Sequence, residues 1–323
     1  MIDFSVKKII KKILSEPELK EKPPVLVDIG ASEHIHNKWK RLSEYSVCLA
    51  FDADERDFQF IEKEHSSFRK LFVYNCIALD KDQNKADFFL TSSPYCSSVL
   101  QPDLINLKPL LFSNLFEVQK KVELNSIHIQ KALDNAKLDY VDWFKTDSQG
   151  IDLRLFKSLD ETIKKKVLVA EFEPGIIDAY IGEDKLHSVL KEIIDYGFWL
   201  SDVKIKGVAR LPKKILDDEF KSSTLKKLVK ESLKKSPGWG EMTFINSFEN
   251  AEFGRRQYLL GWLFSTLEKH HSFAFVLAGK GYDKFNSDIF SELKNYSRSQ
   301  MKKEVYRLKF LPSLIELLKK KLF

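Results

Sequence analysis

At 323 residues, with 43% hydrophobic and 31% charged residues, the chain can bury a full globular domain with material to spare, and its composition excludes the disordered and fibrous classes. Ten prolines and twelve glycines exclude a long flexible linker, and no internal repeat or low-complexity tract occurs. The formal charge of +6, from 53 Lys and Arg against 47 Asp and Glu, is mild, and no motif interleaves it with aromatics, so nucleic acid is not an expected partner.

The N-terminal stretch interleaves Lys7, Lys8, Lys11 and Lys12 with Val6, Ile9, Ile10, Ile13 and Leu14, a helical stripe rather than the continuous apolar core of a signal peptide. This predicts an amphipathic helix over residues 1–22, and with no bilayer-length apolar run the expected location is the cytoplasm. Pro23-Pro24 breaks the pattern, and Val25 to Ile29 reads as a buried strand followed at once by Gly30. A helix-like segment through Trp39 and Leu42 leads to a second strand, Val47 to Phe51, ending in the acidic turn Asp52-Ala53-Asp54. A helix around Glu55 to Glu64 and a third strand, Leu71 to Ala78, follow.

Between Lys81 and Gln130 the pattern is less regular, with edge strands expected at Ala86 to Thr91 and Val122 to Ile129. Tyr140 to Thr146 is a strand ending at Asp147, and Gly150 opens a helix through Leu159. Val167 to Phe172 is a further apolar strand, running into Glu173-Pro174. Leu186, Val189, Leu190, Ile193 and Ile194 recur at helical spacing up to Gly197. Two last strands, Phe198 to Ile205 and Met242 to Asn246, flank a lysine-rich helical insertion at 213–238, and residues 251–323 read as a helical extension. The insertion reads as a solvated face, with an anionic polymer or membrane surface as the alternative. Cys48, Cys76 and Cys96 have neither disulfide nor zinc spacing and read as small hydrophobes in a reducing compartment.

Strands alternating with amphipathic helices predict a doubly wound, Rossmann-like α/β sheet over 23–250, with ligands bound outside the carboxyl ends of its strands. The polar residues after each strand are therefore the candidate site. Asp28, Gly30, Ala31 and Ser32 surround the first turn, where a glycine allows a tight bend and close approach to a ligand. Asp52 lies 22 positions after Gly30, with Ala53 beside it, and suits a carboxylate that accepts hydrogen bonds from a ribose diol. The loop lacks the second and third glycines of G-x-G-x-x-G, and Glu33 would repel a pyrophosphate. S-adenosylmethionine, with a ribose, a sulfonium and an amino group but no phosphate, is the cofactor that fits.

Val27-Asp28-Ile29-Gly30-Ala31, Ala50-Phe51-Asp52, Ala78-Leu79, Ser97-Ser98, Phe144-Lys145-Thr146-Asp147-Ser148-Gln149-Gly150 and Glu171-Phe172-Glu173-Pro174, in this order, resemble the FkbM family of methyltransferases over roughly residues 25 to 247. The resemblance implies a class I methyltransferase fold and methyl transfer to a hydroxyl of a sugar, glycan or related acceptor, and it adds Ala78 and Ser98 to the cofactor set. The first loop departs from the family pattern, which has a second glycine near Glu33, and Asp52 stands where family members usually carry Glu.

Methyl transfer is an in-line displacement that gains from alignment and from a base to take the hydroxyl proton. Asp147, at the end of the strand facing the reacting centre, and Glu173 are the catalytic candidates; Lys145, Gln149, Glu171 and Tyr180 are candidate acceptor contacts. A helix cap is the alternative for Asp147, and a solvated strand end for Glu173. Ser92-Ser93-Pro94-Tyr95 has one proline too few for an amino-group-binding motif, and His34-Ile35-His36 alone makes no metal site, so no metal is expected.

Two further readings stand beside this one: a methyltransferase of RNA or another anionic polymer, motivated by the lysine-rich insertion, and a non-catalytic FkbM-like adaptor, motivated by the altered first loop and the helical extension. The apolar positions Tyr258, Leu260, Leu263, Phe264 and Leu267, and Leu311, Leu314, Ile315 and Leu318, are expected to pack against the domain, with a homodimer contact as the alternative. Lys319 to Lys321 suggest peripheral membrane contact as the alternative to an exposed helix end.

Overall fold

The computed structural model describes residues 4–31, 37–53, 67–249 and 252–322. The chain divides into two compact units, Pro23–Ala251 and Met1–Lys22 with Glu252–Phe323.

Among the described residues the first unit carries ten strands: β1 (Val25–Ile29), β2 (Val47–Phe51), β3 (Lys70–Tyr74), β4 (Ile77–Leu79), β5 (Lys85–Thr91), β6 (Val118–His128), β7 (Trp143–Thr146), β8 (Val169–Phe172), β9 (Phe198–Val208) and β10 (Ser236–Asn246). Seven of them form one sheet in the order β3-β2-β1-β7-β8-β10-β9, with β3 through β8 parallel and β10 antiparallel to both its neighbours. This is the doubly wound, Rossmann-like α/β sheet that the sequence predicts. Every residue of β1 and β2 is buried, which accounts for their unbroken apolar runs. Chain order runs outward from β1 in one direction and from β7 in the other, so the switch point lies between these two strands.

In chain order the helices are α1 (Phe4–Leu14), α2 (Pro17–Glu21), α3 (Leu104–Leu107), α4 (Ile129–Asn135), α5 (Asp152–Lys157), α6 (Glu161–Lys164), α7 (Leu186–Asp195), α8 (Lys213–Glu219), α9 (Ser223–Ser232), α10 (Arg255–Leu267), α11 (His271–Phe285) and α12 (Asp288–Leu322). Helix α7 buries Val189 and Ile193, the centre of its predicted stripe. Phe156 of α5 packs edge-on against Phe144, Phe172 and Phe198 with ring centroids 5.6, 5.7 and 6.1 Å apart, filling one face of the sheet.

The structure differs from the sequence reading in several places. The strand expected at Val122 to Ile129 as an edge is β6, the centre of its sheet, because it pairs with β4 on one side and β5 on the other. The expected strand Leu71 to Ala78 is two strands: β3 ends at Tyr74 and β4 pairs with β6 in a separate sheet, ordered β4-β6-β5. The segment through Trp39 is a pair of short 3-10 turns, Asn37–Arg41 and Ser43–Tyr45, with Trp39 fully buried edge-on to Trp143. The insertion's helices span 213–232, and residues 236–238 belong to β10 rather than to the insertion, because β9 and β10 extend as a hairpin to Val208 and Ser236. The expected helix at Glu55 to Glu64 lies outside the described residues.

The second unit packs α1, α2 and the C-terminal helices together. Arg255 pairs with Glu16 and Glu18 at 2.8 and 2.7 Å, and Trp262 donates to Ser297 Oγ at 2.9 Å. Helix α10 is buried around most of its circumference, including Leu259, Leu260, Trp262, Leu263 and Phe264.

Candidate functional site

At the switch point the ends of β1 and β7 close against each other. Gly30 adopts φ +75°, and a Cβ there would lie 2.2 Å from the Asp147 carbonyl oxygen, so only glycine fits. The Asp147 amide donates to the Ile29 carbonyl at 2.9 Å, and the Gly30 and Ala31 amides donate to the Phe51 carbonyl at 3.0 and 3.1 Å. Three strand ends are thereby held around one opening.

That opening is a cleft of about 720 Å³ lined by Gly30, Phe51, Asp52, Ala53, Ala78 and Asp147, among others. Of the residues predicted to hold a cofactor, Gly30, Asp52, Ala53 and Ala78 line it. Ala31 and Asp28 are buried and do not. Ser98 is also buried behind it: its hydroxyl donates to the Gln149 carbonyl at 2.7 Å and accepts from the Leu100 amide at 3.0 Å, while its neighbour Ser97 reaches the cleft. Ser32, with Glu33, His34 and His36, lies outside the described residues.

A second cleft, of about 1180 Å³, shares Asp147, Gln149 and Tyr95 with the first. Its walls are aromatic, formed by Phe112, Phe116, Tyr180 and Trp239, and it receives the carboxyl groups of Asp147, Glu173, Glu183 and Glu241. None of its described lining residues is Lys or Arg. Lys185 pairs with Glu183 at 2.7 Å and Lys206 with Glu241 at 2.6 Å. Aromatic walls with a few placed polar groups suit a small organic ligand.

Gln149 connects the clefts. It sits at φ +57°, its amide donates to Asp147 Oδ1 at 2.5 Å, and its Oε1 lies 2.9 Å from the Tyr180 hydroxyl, which also donates to the Cys96 carbonyl at 2.9 Å. The chain Tyr180–Gln149–Asp147 fixes the carboxylate's orientation. Of the predicted acceptor contacts, Gln149 and Tyr180 line this second cleft. Glu171 does not: Lys38 holds it at 3.0 Å in a neighbouring cleft that Lys145 also lines.

Lys145 faces Asp28 across the parallel register of β1 and β7 and pairs with it at 2.9 Å. Its ammonium also lies 3.4 Å from the Gly30 carbonyl. Burial opposes its charge, but Asp28, Asp147 and Glu173 outweigh burial and hold its pKa above the usual lysine value. Lys145 therefore stays cationic beside the turn.

Asp147 and Glu173 are each half-buried, and the exposure they keep is to the clefts they line. Burial raises the pKa of both. Lys145 and the Gln149 amide work against that rise at Asp147, whereas the neighbouring charge of Asp147 adds to it at Glu173, which is pushed up to about 9. Both carboxyls are thus shifted towards their protonated forms, and they titrate as a pair.

Sequence reasoning missed Asp152, which is 1% exposed and organises the whole turn. It accepts from the Thr146 hydroxyl at 3.1 Å, the Ser148 amide at 2.8 Å, the Ser148 hydroxyl, and the Glu173 amide at 2.7 Å. Burial pushes its pKa up to about 6 against those hydrogen bonds. The hydroxyls at Thr146 and Ser148 flanking Asp147, with a carboxylate in the first turn of the next helix, were its sequence signal. The aromatic wall residues Phe112 and Trp239 were also missed: Phe112 lies in the irregular stretch before β6, and Trp239 lies in the part of β10 that precedes the strand expected from Met242.

No family model matches the chain, and no curated protein matches it in sequence. Among solved structures the chain is similar to precorrin-6y C5,15-methyltransferase from Geobacter metallireducens GS-15, at 12% identity and a TM-score of 0.31, over 76% of this chain and 89% of that one.

Proposed function

We propose that this chain is an S-adenosylmethionine-dependent methyltransferase of FkbM type that methylates a hydroxyl oxygen of a sugar, glycan or related acceptor. The observation that carries the reading is the junction of the two clefts at Asp147 and Gln149, where a cofactor at the sheet's switch point and an acceptor between aromatic walls would meet at a carboxylate.

The donor set of the first cleft fits the cofactor. Asp52 stands where a ribose diol would be held, Gly30, Ala53 and Ala78 leave room for an adenosine, and Asp147 offers negative charge to a sulfonium or ammonium. When bound, the cofactor supplies an activated methyl group. The chain's own residues do the rest. Asp147, oriented by Gln149 and with a pKa that burial raises against the opposing charge of Lys145, takes the acceptor proton from its ionised form. Glu173, protonated, donates a hydrogen bond that places an acceptor oxygen. Phe112, Phe116 and Trp239 pack the acceptor's apolar faces and exclude water.

The test is transfer of isotopically labelled methyl from S-adenosylmethionine to a panel of neutral mono- and oligosaccharides. Label is expected in an ether linkage to an acceptor oxygen, with the rate lowered about 10²–10⁴-fold in Asp147→Asn. Transfer to none of these acceptors, or transfer unaffected by Asp147→Asn, would overturn the reading.

A further inference from the structure

Helix α9 is an amphipathic helix in which Lys226 and Val229 are half-buried and the other residues are exposed. Ser222 caps its start by accepting from the Leu225 amide at 3.4 Å, yet none of its residues is buried. Leu225 and Leu228, one turn apart, are 45% and 61% exposed, and Ile215 on the preceding α8 is 48% exposed. Ordinary solvated helices face water with polar residues; these two helices of one insertion present branched aliphatics to it.

The same insertion is strongly basic. Between positions 213 and 235 it carries eight lysines against four carboxylates, and one lysine, Lys226, is neutralised by Asp217 at 2.7 Å. Lys227 and Lys230 lie beside Leu228 on α9 and are exposed. A second copy of this surface would be repelled by its like charge, and a nucleic acid would use the lysines while leaving the leucines in water. A surface that is both anionic and able to receive aliphatic side chains satisfies all of these residues at once.

We infer that the insertion between β9 and β10 docks this protein onto an anionic lipid bilayer, with Leu225, Leu228 and Ile215 entering the acyl boundary and the lysines meeting the headgroups. No helix among the described residues is long and apolar enough to cross a membrane, so the contact is peripheral. The insertion springs from the wall of the second cleft: Val208 pairs with Ser236, and Gly238 and Trp239, a few residues on, line that cleft. Docking would therefore hold the cleft close to the membrane surface, whatever the cleft binds.

The experiment is co-sedimentation of the full chain with vesicles of phosphatidylcholine alone and of phosphatidylcholine mixed with phosphatidylglycerol. Binding is expected only to the mixed vesicles, and it should weaken as salt rises. Each lysine near such a surface contributes about fivefold to partitioning, so Lys227→Gln with Lys230→Gln should lower it roughly thirtyfold. Leu225→Ala with Leu228→Ala, which leaves the charge intact and favours the helix, should lower it at least about tenfold. Unchanged thermal unfolding of both variants shows that the fold persists. Three results would overturn the inference: no binding to anionic vesicles; binding that both variants retain, which would place the contact elsewhere; or loss in the lysine variant alone with an RNA duplex competing, which would assign the surface to a polyanion.

Discussion

Asp28 shows how far a residue's type can be legible while its role is not. A carboxylate at the end of the first strand reads as a cofactor ligand, and in the structure it is wholly buried as the counter-ion of Lys145. The pairing depends on the register Asp28 opposite Lys145, which sequence separated by more than a hundred residues does not announce. A buried charge left alone costs far more than the pair contributes. Lys145→Met is therefore expected to destabilise the fold by about 3–5 kcal/mol in urea unfolding, with Asp28→Asn on top of it restoring part of the loss. An effect below about 1 kcal/mol would mean that the pair is not desolvated as described.

Titration gives a second prediction at this scale. Asp152 and Glu173 have folded-state pKa values above their ordinary ones, at about 6 and about 9. Between the ordinary and the raised values the native chain holds more protons than the unfolded one, so the free energy of unfolding falls as pH rises. For Asp152 that fall spans the region from its ordinary 3.8 to about 6, and for Glu173 from 4.5 to about 9. Glu173→Gln, which stays neutral, should flatten the decline above pH 6, followed by chemical denaturation at a series of pH values. An identical slope in the variant would show that Glu173 ionises normally.

At the scale of elements, the strands that form the sheet's centre were the most legible. β1 and β2 are short apolar runs buried on both faces, and little else could be made of them. Legibility fell where neighbours decide the outcome. Lys70 to Leu79 is apolar enough for one strand, but its two halves hydrogen-bond into different sheets. The turn at Gly30 was predicted from its glycine, although the structure gives that glycine a further reason: the Asp147 backbone occupies the place of a side chain. Gly30→Ala combines that clash with a left-handed backbone, at a cost on the order of 1–3 kcal/mol for the strained backbone alone. It should lower the thermal midpoint and push the ends of β1 and β7 apart, visible as lost protection of the Asp147 amide in hydrogen exchange. Full protection in the variant would show that the turn relaxes without disturbing β7.

At the scale of the whole molecule, the sequence supplies the alternation of strands and helices, and with it the sheet and the rim where ligands bind. What it could not supply is the second cleft. Phe112 comes from the connection before β6, Tyr180 and Glu183 from the one between β8 and α7, and Trp239 from β10, and only the folded chain brings them around Asp147 and Gln149. The altered glycine loop, which led to the adaptor alternative, falls on residues 32–36 outside the described chain, so the cofactor reading rests on Asp52, Ala53, Ala78 and Asp147.

The most direct measurement is isothermal titration calorimetry of the full chain with S-adenosylmethionine and, separately, with NAD. One equivalent of S-adenosylmethionine should bind and NAD should not, with the affinity for S-adenosylmethionine lowered about tenfold or more in Asp52→Ala, the loss of hydrogen bonds to a charged group. Binding of NAD in preference to S-adenosylmethionine, or of neither, would contradict the account.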